Sequence, residues 1–292
     1  MAKKRSGERS GGPRGLREQL RVPPGGGPVD LGAHDPAATP GGPADKVRGR
    51  EEAVATGAHL AGLQERLYAA ATAGDRRRLL LVLQGMDTSG KGGTVKHVIG
   101  MLNPAGCRIT AFKAPTEEER SHPFLWRVER ALPRPGEIGI FDRSHYEDVL
   151  IARVRELVPA EEWSGRYAEI NRFEQALADD GVAFVKVFLH IGHAEQRRRL
   201  LQRLDNPSKH WKFDPGDIEE RELWDDYHRA YEAVLEYCST EAAPWYVVPA
   251  DHKWYRNWAV SRLLLEQLEE MDPQYPPARF DPGVYRARLT SG

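Results

Sequence analysis

The sequence predicts an α/β protein, a mostly parallel central sheet of about five strands with helices on both sides, and three observations carry that prediction. Short apolar runs of strand length alternate with stretches of helical period along the chain. The first of these runs, Leu79 to Leu83, feeds a glycine turn and then a helical stretch. Two of the later runs, ending at Phe112 and Phe141, deliver Lys113 and Asp142, as strands do when they open onto the ligand crevice of a parallel sheet.

Residues 1–50 hold 11 glycines and 7 prolines, and carry 10 Lys/Arg against 5 Asp/Glu, a charge of +5, while the remainder carries 32 against 38, or −6. With almost no aliphatic residues in periodic array, this stretch is expected to be a disordered basic tail, solvated rather than bound to a polyanion. The folded domain is expected over 51–272, and a proline-rich extension over 273–292 is expected to wrap the surface. The chain as a whole has a formal charge of −1, which gives no reason to invoke nucleic acid. Cys107 and Cys238 are the only cysteines and sit in no metal-ligand spacing, so a reduced, cytoplasmic setting is expected. Lys3-Lys4-Arg5 runs into glycine and proline rather than an apolar core, and no apolar run approaches a membrane span.

Helical period begins near Glu51, where Ala58, Leu60, Leu63, Leu67 and Tyr68 form an apolar stripe. The strand Leu79–Leu83 then delivers Gly85-x4-Gly90-Lys91. Strand, glycine turn and helix in that order make a phosphate cradle, because backbone N–H groups and the positive end of the helix dipole point at one spot. Gly85, Thr88, Ser89, Gly90, Gly92, Gly93 and Thr94 are the candidate phosphate-binding residues, and Lys91 adds a mobile charge. The residue after the lysine is Gly92, where a phosphate loop usually has Ser or Thr for magnesium, so the metal needs another ligand; Asp87 is the nearest carboxylate. The helix should end near Leu102-Asn103-Pro104.

CRITAF, Cys107 to Phe112, reads as the second strand and delivers Lys113; Glu117 to Leu132 reads as a helix. Ile138 to Phe141 is a short apolar strand ending in Asp142-Arg143-Ser144-His145-Tyr146. A strand that ends in Asp downstream of a phosphate loop supplies the second half of a nucleotide site: the carboxylate holds Mg²⁺ and Arg143 forks onto phosphate oxygens. His145 is expected to be packed or hydrogen-bonded, since an anionic phosphate acceptor requires no general base. Helices are read at Glu147–Val158 and Pro159–Asp180, and a strand at Ala183–Leu189. A helix follows from His193 to Leu204, with Arg199 and Arg203 on one face. From about 199 to 216 the chain is basic and aromatic and is broken by Pro207, which suggests a lid carrying Arg203, Lys209 and Lys212. Asp214-Pro215 starts a further helix with a core stripe of Trp224, Tyr227, Tyr231 and Val234; Trp245–Val248 is the last strand and Tyr255–Met271 the closing helix.

Two carboxylates and several cations around one cradle point to phosphoryl transfer, in which catalysis is alignment plus neutralisation of charge. Asp87 and Asp142 are the candidate metal ligands. Lys91 and Arg143 are the candidate phosphoryl clamps, with Arg203 closing over them.

Four blocks in order, QGMDTSGKGGTVKHV, FDRSHYEDVL, RLDNPSKHWKF with ERELWDDYHRAYE, and WYVVPADHKWYRNWAV, resemble polyphosphate kinase type 2 over roughly residues 52–272. The resemblance implies a three-layer phosphate-loop kinase fold and Mg²⁺-dependent phosphoryl exchange between inorganic polyphosphate and a nucleotide. It assigns function to Asp87, Lys91, Asp142, Arg143 and Arg203, accommodates Gly92, and implies a homodimer or homotetramer. GMDTSGKGG and PTEEERSHPFLWRVERALP look closer to the group that accepts AMP, some of whose members also take ADP. Adenine nucleotides are the implied partners, with guanine nucleotides an open alternative. A polyphosphate chain needs a long cationic groove, for which Lys96, Lys113, Lys209 and Lys212 are candidates by position. The competing readings are an ATP-dependent nucleoside monophosphate kinase and a non-catalytic nucleotide-binding protein.

Overall fold

The structure, a computed structural model, describes residues 15–291. Its sheet has five strands: β1 (Arg78–Gln84), β2 (Cys107–Ala111), β3 (Ile138–Asp142), β4 (Val182–His190) and β5 (Trp245–Pro249). The spatial order is β2-β3-β1-β4-β5, and all four pairings are parallel. β1 is central and buried on both faces, which is why it reads as an unbroken apolar run.

The alternation of β1 divides the core in two. Leu79, Leu81 and Leu83 pack with Leu60, Leu63 and Leu67 of α2 (Lys46–Ala71) and with Leu263, Leu264 and Leu268 of α11 (Lys253–Met271). Leu80 and Val82 face the other way, toward Ile170 of α7 (Ala160–Asp179) and Val234 of α10 (Trp224–Cys238). The remaining helices are α1 (Leu16–Leu20), α3 (Lys91–His97), α4 (Glu117–Arg120), α5 (Trp126–Ala131), α6 (Ile151–Val154), α8 (His193–Leu204), α9 (Gly216–Glu222) and α12 (Pro282–Thr290).

Several local expectations shift. The helix expected over Glu117–Leu132 is two short ones, α4 and α5, interrupted around Pro123. Glu147–Val158 is a 3₁₀ turn at His145–Asp148 followed by α6. In α2, Ala58 and Tyr68 lie outside the buried stripe of Leu60, Leu63 and Leu67. The helix after the phosphate loop stops at His97 and continues as a 3₁₀ turn.

The largest correction concerns the tail. Of the stretch expected to be disordered, residues 1–14 lie outside the described residues, and residues 15–50 are ordered. Leu16, Leu20, Val22 and Leu31 are buried. Arg21 bridges Tyr246 in antiparallel sense and Val22 N–H donates to Trp245 O at 2.9 Å, so this arm covers the outer edge of β5. Leu16 and Arg17 N–H groups donate to Glu266, and α2 starts at an Asp45 cap, six residues before the expected boundary. Four dispersed apolar residues suffice because each joins one of the two core clusters that flank the sheet. The C-terminal extension forms α12, which buries none of its residues, so the expected wrapping is not seen there. No helix among the described residues is long and apolar enough to cross a membrane.

Candidate active site

β1 aims the phosphate loop at the C-terminal edge of the sheet. Gly90 has φ +114°, and a Cβ there would lie 1.6 Å from Arg256 Nη1, so glycine is required both by the turn and by the guanidinium packed on it. Thr88 and Arg143 hold φ +64° and +63° without being glycine. Backbone strain therefore sits on both segments that meet at the loop. Arg143 N–H is tied to Leu83 O at 3.1 Å, which fixes the end of β3 beside the end of β1.

Asp87 and Arg143 form an ion pair, Oδ1 to Nη2 at 3.2 Å. Lys91, expected to be mobile, instead curls back, and its Nζ donates to Gly85 O at 2.7 Å. Loss of water lowers the Lys91 pKa; of the charges acting on it Asp87 ranks first, followed by Arg143, Asp142 and Glu147. Burial works against the Arg143 charge, but Glu147 and Asp87 raise its pKa. Burial pushes the Glu147 carboxyl above the usual range, against Arg143 and Lys91. Asp87, Lys91, Asp142 and Arg143 thus form one electrostatic cluster, joined by Glu147, which sequence reasoning did not single out. Its signal was available in FDRSHYEDVL, five residues past Asp142.

Two depressions flank the loop, and their chemistry is opposite. A pocket of about 320 Å³ is lined by Gly85, Asp87, Arg143, Glu147, Asp217, Glu220 and Tyr227, so carboxylates outnumber cations. A groove of about 1090 Å³ is lined by Lys96, Arg198, Arg203, Lys209, Lys212 and Arg256, with Lys46, Arg50 and Lys253 at its margins. The groove also takes in Thr88, Gly90, Gly92 and Gly93. Lys96, Lys209 and Lys212 fall where a cationic groove was expected. Lys113 does not: it is exposed beyond β2, lines neither depression, and its carbonyl accepts from Arg127. Ser89 and Thr94 are buried under the loop, and the hydroxyls of Thr88, Ser89 and Thr94 have no protein partner.

Arg203 is already engaged. Its Nη1 donates to Asp217 Oδ2 at 3.0 Å and to Lys212 O at 2.8 Å, which ties α8 to the lid segment of Pro207–Lys212 and α9. Arg256, missed from the sequence although it lies in WYVVPADHKWYRNWAV, lines the groove and spends three N–H groups on Asn257 and Ser89. Burial, with Arg199 adding to it, brings its pKa down to about 10. His145 is packed as expected, its Nε2 at 3.2 Å from Glu174. Tyr231 is buried, and both it and Tyr227 of the same stripe line the acidic pocket.

Among the described residues no three His, Cys, Asp or Glu side chains are grouped to hold a metal. Two hard carboxylates beside a phosphate cradle, Asp87 and Asp142, fit magnesium, which binds through one or two carboxylates and completes its shell with water and substrate phosphates.

A family model described as Polyphosphate kinase 2 (PPK2) matches residues 44–276. A Meiothermus ruber protein named AMP/ADP-polyphosphate phosphotransferase is 48% identical over 259 residues, spanning 89% of this chain and 95% of its own. A Rhodopseudomonas palustris ADP-polyphosphate phosphotransferase is 45% identical over 235 residues, 75% of this chain and 80% of its own. The crystal structure of polyphosphate kinase 2 from Arthrobacter aurescens TC1 superposes with a TM-score of 0.92 at 49% identity, covering 96% of this chain and 98% of that one.

Proposed function

The chain belongs to the polyphosphate kinase 2 family, and from that premise we propose that it transfers a phosphoryl group between inorganic polyphosphate and a nucleoside mono- or diphosphate, with AMP to ADP as the leading reaction and ADP to ATP as a further one. The observation that carries this reading is the pairing of a basic groove with an acidic pocket across one phosphate loop. A polymer with one charge per phosphate suits a groove lined by Lys96, Lys209, Lys212, Arg198 and Arg256. A nucleotide with its divalent cation suits the smaller pocket, where carboxylates tolerate the metal and Arg143 meets the phosphate.

In this reading Asp87 and Asp142 would hold magnesium, which would supply positive charge against the phosphate oxygens. Lys91 leaves Gly85 O for the transferring group. Arg143 exchanges part of its pairing with Asp87 for phosphate oxygens. Arg203 orders the lid through Asp217 and Lys212. No side chain is asked to remove a proton, because the acceptor oxygen is already anionic. We further propose a cytoplasmic setting, supported by two unpaired cysteines, Cys107 and Cys238, and a homodimer or homotetramer, which sedimentation will test.

The deciding mixture is AMP, polyphosphate and Mg²⁺ without ATP, read by product analysis, with ADP, GMP and GDP as parallel acceptors. Formation of ADP supports the proposal. No ADP there, together with turnover of ATP plus AMP, assigns the protein as an ATP-dependent nucleoside monophosphate kinase instead.

A further inference from the structure

Arg199 lies at the base of the lid and is 5% exposed. A guanidinium has five N–H donors, and here each has an acceptor. Nε donates to Glu195 Oε1 at 2.6 Å. Nη1 donates to Thr88 O at 2.8 Å and Ser89 O at 3.1 Å, both in the phosphate loop. Nη2 donates to Ala250 O at 2.7 Å and Asp251 O at 2.9 Å, just beyond β5. Arg199 has no donor left for a phosphate, unlike Arg256 beside it.

The far end of this staple is itself held. Asp251 Oδ1 accepts from Gly192 N–H at 2.8 Å, at the first turn of α8. Asp251 N–H donates to Pro36 O at 3.0 Å, in the N-terminal arm. The same arm segment takes His190 Nε2 on His34 O at 2.9 Å and Tyr255 OH on Pro40 O at 2.7 Å. A continuous chain of hydrogen bonds therefore runs from the arm through Asp251 and Arg199 to the loop carbonyls at Thr88 and Ser89, where Thr88 sits in a left-handed conformation that the surroundings must impose.

We propose that Arg199 and Asp251 are positioning residues for the phosphoryl transfer put forward above: they fix the loop backbone against the lid base, and the N-terminal arm anchors their far end. A loop displaced by about 1 Å loses about 10²-fold in rate while the ligand-binding side chains remain. Arg199→Lys, which keeps the charge but cannot bridge both sides, is expected to lower kcat by about 10²-fold with the KM values for AMP and polyphosphate within about threefold. Asp251→Ala is the milder variant, expected to lose about tenfold in kcat, and Asp251→Asn, which keeps an oxygen toward Gly192 N–H, restores most of it.

The closing experiment measures kcat and KM in the full-length protein and, in the same samples, hydrogen exchange of the segments 85–93 and 182–190. Faster exchange confined to 85–93 in Arg199→Lys and Asp251→Ala, with the kcat loss, is the expected result. Unchanged loop exchange, exchange raised equally in both segments, or a higher polyphosphate KM at unchanged kcat would each overturn it. Should the wild type itself not use polyphosphate, the functional reading falls, while the exchange comparison still decides whether Arg199 holds the loop.

Discussion

The acidic pocket and the basic groove meet at one loop and at one ion pair, Asp217 of the pocket with Arg203 of the groove. The other pocket carboxylates with ion pairs are held by Arg143, within the pocket, and by Arg155 outside it: Asp87 with Arg143 and Glu220 with Arg155. In the groove, Lys96, Lys209 and Lys212 have no carboxylate partner closer than 4 Å among the described residues. The difference separates two tasks. Under the proposed function the pocket holds a charge pattern fixed before substrate arrives, which suits ions that are paired and partly buried. Under the proposed function the groove attracts and releases a polymer whose register varies, which suits lysines left without carboxylate partners.

The sharpest test lies between the two, at the end of β3 where Asp142 acts on Lys91 and Arg143. Asp142→Asn should fold with an unchanged melting temperature and lose about 10²–10³-fold in kcat together with its magnesium dependence; initial rates across a magnesium titration will show it. Activity equal to wild type would place the metal elsewhere. On the groove side, Lys209→Ala with Lys212→Ala should raise the KM for polyphosphate about tenfold and leave that for AMP within about twofold, because each lysine contributes an exposed contact of at most about 1 kcal/mol. A matching rise for AMP would merge the two sites into one.

Salt sharpens the same contrast at smaller amplitude. Between low and physiological ionic strength the polyphosphate KM should rise several-fold more than the AMP KM, since more exposed charges are screened. The smallest effect is on stability. Burial raises the Glu147 pKa, so the folded chain holds that proton to higher pH than the unfolded chain does. Its contribution is therefore neutral at acid pH and unfavourable once the pH passes the folded value. Glu147→Gln should melt slightly higher than wild type near pH 7, with the gap closing as pH falls below the unfolded carboxylate pKa, while turnover drops. A lower melting temperature at pH 7 would show that pairing with Arg143 outweighs burial.

What could be read from the sequence follows from whether a residue's task is local. All five strands, the loop glycines, and Asp87, Lys91, Asp142 and Arg143 were legible because strand-turn-helix order places them without further help. Lys113 was misplaced because β2 is the edge strand, separated by β3 from β1, whose end carries the loop. Arg256 was invisible as a site residue because its task depends on contact with Gly90, about 165 positions earlier. The arm was misread because its apolar residues are spaced for separate docking points rather than for one helix face.

The same arm leaves the sheet asymmetric at its borders. One border, β5, is occupied by Arg21 and Val22, and the opposite border, β2, ends the sheet with Ile109 54% exposed. Lateral growth of the sheet, whether in orderly assembly or in heat-induced clumping, is thereby open in one direction only. A charge introduced at Ile109 would close that remaining side.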